Sequence, residues 1–156
     1  MSLPVCSSWA STATAARDAV MESRTITVDT GHEAAIVDLT DACARFLAET
    51  NAGDGMLNVF VPHATAGVVV MELGAGSDQD LLATLDRLLP RDERWQHRHG
   101  SPGHGADHVL PLLVPPSVTV PVRDGRMKLG TWQSIALVDP NRDNGRRDVR
   151  LSFLPG

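Results

Sequence analysis

The chain has 156 residues, with 14 Lys+Arg against 19 Asp+Glu and a net charge of −5. At 42% hydrophobic and 21% charged, it carries enough apolar residues for one core and does not read as disordered throughout. No apolar run approaches the roughly 20 residues that span a bilayer, and an acidic chain gains nothing from counterion release on a phosphate backbone. Membrane and general nucleic-acid partners are therefore disfavoured, while a local basic pocket for one small anion is not.

Residues 1–20 are rich in Ser, Thr and Ala, with Arg17 and Asp18 as their only charges. Pro4, Ser7-Ser8 and the Ser/Thr residues after Trp9 interrupt the apolar stretch that a secretory signal needs. The segment reads as a disordered extension. Met21 opens the first strand-like run and is a candidate native start, leaving residues 21–156 as a single domain. Cys6 and Cys43 have the spacing of neither a metal pair nor a disulfide framework, which fits a reducing cytoplasm.

Arg24 to Val28 alternates polar and β-branched residues, a strand signal, and Ala34 to Leu39 is a second strand candidate. Thr40 is placed to cap a helix running to Glu49, with Ala44, Leu47 and Ala48 on one face. Leu57 to Pro62 predicts a strand closed by proline. Val68 to Met71 predicts a short strand of the buried type, with Glu72 directly after it. Ser77 to Leu89 is the clearest helix: Ser77 and Asp80 form a capping-box pattern, and Leu81, Leu82, Leu85, Leu88 and Leu89 fall on one stripe. Arg91 to Gly105 is polar and rich in His and Gly, and Ala106 to Leu113 reads as a short helix broken near Pro111. Val118 to Val122 and Arg126 to Leu129 flank Asp124-Gly125, a hairpin turn signal. Thr131 to Val138 and Val149 to Phe153 read as strands around a charged loop, Asp139 to Asp148. Strands dominate without a repeated βαβ spacing. The fold class is therefore α+β, with mainly antiparallel strands and two or three inserted helices.

Four of six histidines, His97, His99, His104 and His108, lie between Trp95 and Val109. His104 and His108, four apart, share a face on a helix and can chelate one ion there, though Gly103 and Gly105 speak against a helix that starts at His104. A solvated loop that happens to be His-rich is the competing reading. His63 follows a strand within Pro-His-Ala-Thr-Ala-Gly, where small residues and the Thr65 hydroxyl suit an oxyanion; a tight connection with a hydrogen-bonded His is the plainer reading. Glu72 needs a partner, a metal or solvent. Trp132 can be core or stack on a flat ring, and Gln133 can read a heterocycle edge. Arg142, Arg146 and Arg147 lie in a turn-rich loop, where a guanidinium fork suits phosphate but most arginines are only solvated.

Taken together, Val59 to Val68 with its Pro-His-Ala-Thr-Ala-Gly core, Glu72, His108, and Ser117 to Val122 followed by Leu129-Gly130-Thr131-Trp132-Gln133 resemble the YjbQ family, described as secondary thiamine-phosphate synthase enzymes. The match runs from about residue 24 to the end. Ala64 stands where the family usually has Thr. Residues 103–107 and 143–147 match the family only loosely. The resemblance implies an α+β sandwich that assembles as a homotrimer and acts on a small phosphorylated heterocycle. It implies His63, Glu72 and His108 as catalytic residues and Thr65, Trp132, Gln133 and Arg146 as substrate contacts. It further implies His63, His104 and His108 as ligands of a divalent ion, zinc or magnesium. A metal-dependent hydrolase of a phosphorylated metabolite and a non-catalytic metabolite-binding protein are the alternatives.

Overall fold

The computed structural model describes residues 20–156, so the extension read over residues 1–20 lies, apart from Val20, outside the described residues. The elements in chain order are β1 (Glu22–Asp29), β2 (Ala35–Asp38), α1 (Thr40–Glu49), β3 (Gly55–Phe60), β4 (Gly67–Met71), α2 (Ser77–Leu88) and α3 (His104–Asp107). A 3-10 turn (Leu110–Leu112) follows, then β5 (Ser117–Arg123), β6 (Arg126–Met127), β7 (Ser134–Asp139) and β8 (Arg146–Pro155).

Two antiparallel sheets result, ordered β1-β8-β3-β5-β6 and β2-β7-β4. The expected α+β class with antiparallel strands is what the chain forms. The period-2 alternation of β8 sends Arg147, Val149, Leu151 and Phe153 inward, all of them buried. They pack with Leu57 and Val59 of β3 and with Ile135 and Leu137 of β7. The alternate face of β7 carries Val138 into a second cluster with Leu85, Leu110 and Val114. The three-stranded sheet is thus a middle layer, with the larger sheet on one side and α2 with the 3-10 turn on the other. Full burial on both faces explains why β7 reads Ile-Ala-Leu-Val without alternation.

Several local details differ from the sequence reading. On α1 the buried face is Cys43, Phe46 and Leu47, and Ala44 and Ala48 are exposed. Volume decides here, because burying Phe46 or Leu47 contributes about 1.5–3 kcal/mol each, far more than an alanine methyl. Thr40 does not cap α1. Its backbone N–H donates to Asp38 Oδ1 at 2.8 Å, and its hydroxyl accepts the Ile135 N–H at 3.0 Å. Nor is the capping box of α2 formed: Gly76 precedes the helix without a side-chain cap. The Leu stripe of α2 buries only Leu85, and Leu88 is 58% exposed. Asp124 and Gly125, with φ of 50° and 71°, make the expected hairpin turn between β5 and β6. The helix near Pro111 splits into α3, which does start at His104, and the 3-10 turn. No helix among the described residues is long and apolar enough to cross a membrane.

Candidate metal centre

The histidine-rich segment folds against α3 and β7. Gly103 enters α3 with φ of 79°, a conformation glycine adopts without strain. Gly105 answers to a different need. A Cβ there would lie 2.5 Å from Trp95 Cβ and 2.7 Å from the His97 carbonyl oxygen, so only a missing side chain lets this loop rest on the helix. The two glycines that argued against a helix at residue 104 are the ones that let it form under a closely packed loop.

That packing gathers His97, His99, His104 and His108. One ring nitrogen from each lies within 4.8 Å of all the others. Ring centroids are 4.0 Å apart for His97–His99, 4.3 Å for His97–His108 and 4.8 Å for His104–His108. His104 Nε2 and His108 Nε2 are 3.0 Å apart. Two nitrogens on one tetrahedral zinc are separated by about 3.4 Å, so this pair stands near ligating distance already.

Two polar groups meet His104 at Nδ1. The Asn141 Nδ2 amide lies 3.1 Å from Nδ1 and, having only N–H to offer, donates to it, while Asp143 Oδ2 stands 2.7 Å from the same nitrogen. A polar side chain at the far nitrogen of the ring is the usual support of a metal-ligating histidine. Asp143 is itself held by the Ser101 backbone N–H, at 3.1 Å to Oδ2. This contact keeps its carboxyl below the ordinary range, followed by the influence of His104 and Arg91. His97 and His108 are both shifted down, first by desolvation and then by the neighbouring imidazoles. Neutral rings keep their lone pairs available.

Beneath the cluster lies a buried polar frame. Asn141 Nδ2 donates to Asp107 Oδ2 at 3.0 Å, and Arg91 pairs with Asp107 Oδ1. Desolvation dominates at Asp107 and raises its carboxyl, with Arg91 opposing. The Asn141 backbone N–H donates to Asp139 Oδ1 at 3.1 Å. Asp139 also accepts from the Thr30 hydroxyl at 2.7 Å and from Arg147 at 2.7 and 2.9 Å. Both members of this ion pair are buried, Asp139 at 0% and Arg147 at 2% exposure.

The residues singled out from the sequence divide among these places. His104 and His108 meet in the cluster. His63 is outside it: Nε2 accepts the Asp148 N–H at 2.9 Å, and Nδ1 lies 3.5 Å from Arg147 Nη1. The imidazoles brought together are therefore His97 and His99 with His104 and His108, in place of His63. Glu72 is exposed at the end of β4. Thr65 is buried, at 8% exposure. Trp132 is 74% exposed and so is not a core residue. Gln133 Oε1 accepts the Gly130 N–H at 2.8 Å, closing its own loop. Arg146 is exposed, and it is Arg147 that turns toward His63. Sequence reasoning passed over Asn141 and Asp143; their place just beyond a strand ending in Asp139 was the available signal.

The donor set itself discriminates between ions. Imidazole nitrogen suits zinc and its transition-metal neighbours, whereas magnesium asks for carboxylate, carbonyl and water oxygens. Four imidazoles therefore fit a zinc-type divalent ion and do not fit magnesium.

A family model described as UPF0047 protein YjbQ-like matches residues 24–156. The chain is 62% identical to UPF0047 protein Rv2556c of Mycobacterium tuberculosis over 136 residues, covering 87% of this chain and all of that protein. It is 34% identical to UPF0047 protein YugU of Bacillus subtilis over 117 residues, 72% of this chain and 84% of that one. Among solved structures, a YbjQ-like protein from Sulfolobus solfataricus superposes with a TM-score of 0.81 at 25% identity, covering 88% of this chain and 99% of that one. Protein APE1520 of Aeropyrum pernix gives 0.79 at 29%, covering 86% and 99%.

Proposed function

The chain belongs to the UPF0047 YjbQ-like family, and we propose that it is a metal-dependent enzyme that hydrolyses a small phosphorylated metabolite at the four-histidine cluster. The observation that carries this reading is the convergence of His97, His99, His104 and His108 within 4.8 Å, with Asn141 and Asp143 both at the Nδ1 of His104. A zinc-type ion held there supplies Lewis acidity and activates water near neutral pH. In this reading His104 and His108 hold the ion from the rigid side, since Asp107 of α3 is tied to Asn141 and Arg91. His97 and His99, exposed on the covering loop, would complete the donor set from the solvent side. Glu72, exposed at its strand end, and the ring face of Trp132 remain available to substrate in this proposal, with Thr65, Gln133 and Arg146 as secondary contacts.

Condensation of the thiamine-phosphate type is the transferase alternative that the resemblance implies. Departure of pyrophosphate is ordinarily assisted by magnesium on oxygen ligands, and the donor set here is nitrogen. The test is phosphorus NMR of the zinc-loaded protein with phosphorylated heterocycles, alone and in pairs. Zinc-dependent release of phosphate, lost in His104→Ala and His108→Ala, is the expected result. A joined product would establish the transferase, and tight binding without turnover the binding protein.

A homotrimer in the cytoplasm belongs to the same proposal. Met56 and Leu154, paired neighbours on β3 and β8, are 43% and 44% exposed, with Phe60 further along at 38%. An apolar strip of this kind suits contact with further copies. Sedimentation equilibrium showing only monomer would count against it.

A further inference from the structure

His63 lies apart from the metal centre, yet it is held with unusual definition. Its backbone N–H donates to the Val61 carbonyl at 2.9 Å, a tight turn at Pro62 that fixes the ring directly after β3. The Asp148 N–H donates to Nε2 at 2.9 Å. A neutral imidazole that accepts at Nε2 carries its proton on Nδ1. Burial and the charge of Arg147 both disfavour protonation of the ring, outweighing Asp148 and Asp139.

Nδ1 faces Arg147. That guanidinium spends Nε and Nη2 on the two oxygens of Asp139 and leaves Nη1 over, 3.5 Å from His63 Nδ1. Two N–H groups therefore confront one another with no acceptor between them. An oxygen accepting from both at about 2.8 Å resolves the conflict, seated about 2.2 Å off the line that joins them.

We propose that His63 Nδ1 and Arg147 Nη1 form an oxyanion-binding site that takes a phosphoryl or carboxylate oxygen of a small metabolite. Only donors are presented, one of them charged, so a cation or a donor ligand is refused. Arg147 is kept in place by the buried Asp139 carboxylate, which Asn141 ties in turn to Asp107 beneath the histidine cluster. That this oxyanion is the substrate's own rests on the proposed function; the donor pair itself needs no metal.

The experiment uses the metal-free full-length chain with nitrogen-15-labelled histidine, titrated with inorganic phosphate and, separately, with acetate. The expected spectrum has His63 protonated on Nδ1, and its ring signals move saturably with one anion or both, distinguishing phosphoryl from carboxylate preference. His63→Phe weakens that binding at least tenfold, whereas a His104→Ala/His108→Ala double variant keeps it. A proton on Nε2, no response to either anion, or unchanged binding in His63→Phe overturns the proposal. The tautomer is read on the wild-type protein and needs no variant to fold. Failure of the metal reading shows elsewhere, as absence of zinc uptake, and leaves the His63 titration as it was.

Discussion

Asp143→Ala puts the proposed metal centre under direct test without touching any of the four histidines. The carboxylate stands 2.7 Å from His104 Nδ1 and accepts the Ser101 N–H at 3.2 Å through Oδ1 and 3.1 Å through Oδ2. Its removal takes a negative charge from beside the imidazole and strips the Ser101 N–H of its acceptor, which loosens the loop that carries His97 and His99. Loss of such a supporting partner typically weakens metal binding 10–100-fold, about 1.4–2.7 kcal/mol. Asp143→Asn keeps an accepting oxygen but not the charge, and is expected at the lower end. The assay is competition for zinc against a chromophoric chelator, with circular dichroism to confirm the fold. Two results would refute the reasoning: zinc affinity in folded Asp143→Ala equal to wild type, or His104→Ala that still takes up zinc as tightly.

Four further outcomes follow. Gly105→Ala forces its methyl against Trp95 and the His97 carbonyl; zinc affinity falls while the sheets remain intact, as measured by chelator competition and circular dichroism. Arg147→Met leaves Asp139 charged and buried without its partner; denaturant titration should show a loss of about 3–5 kcal/mol. The Cys43 thiol is pushed up to about 12, by burial first and Asp38 second. In a Cys6→Ser background the native protein should therefore react with a thiol reagent only after unfolding. His63 is shifted down from its ordinary 6.5, so above that value both folded and unfolded forms are neutral and it contributes no pH dependence. Below it the unfolded ring takes a proton that the folded ring resists, and stability falls as pH drops. Denaturation at pH 7.5 and 5.5 should show that loss, smaller in His63→Phe.

The strands were legible because burial on one or both faces writes itself into period and composition. The alternation of β1 and the apolar runs of β4 and β7 are examples. The site was legible only as a concentration of histidine. What the sequence concealed was the start of β8. Asp139 to Asp148 reads as a charged loop, yet pairing with β1 begins at Arg146, opposite Asp29. That register turns Arg147 inward, where a guanidinium has no place unless a carboxylate waits for it, and Asp139 is supplied by another strand. Local pattern carries no trace of such a match. The surroundings of His63 are hidden for the same reason, since its neighbours Arg147 and Asp148 are more than eighty positions away. The glycines near His104 misled in the opposite direction: their low helix propensity was outweighed by the approach of a second segment that tolerates no Cβ.

Strand β7 ends in a residue that gives its position to both candidate sites. Asp139 is anchored by a strand buried from Ile135 onward, and from its two oxygens the arginine and the asparagine are held in fixed relation. Stiffness generated by oil-like packing is thereby delivered to polar chemistry at the periphery. A cavity cut into the interior, such as Leu137→Ala, should blur the spacing of the distant imidazoles before it melts the fold. Metal occupancy would then serve as an early gauge of core integrity.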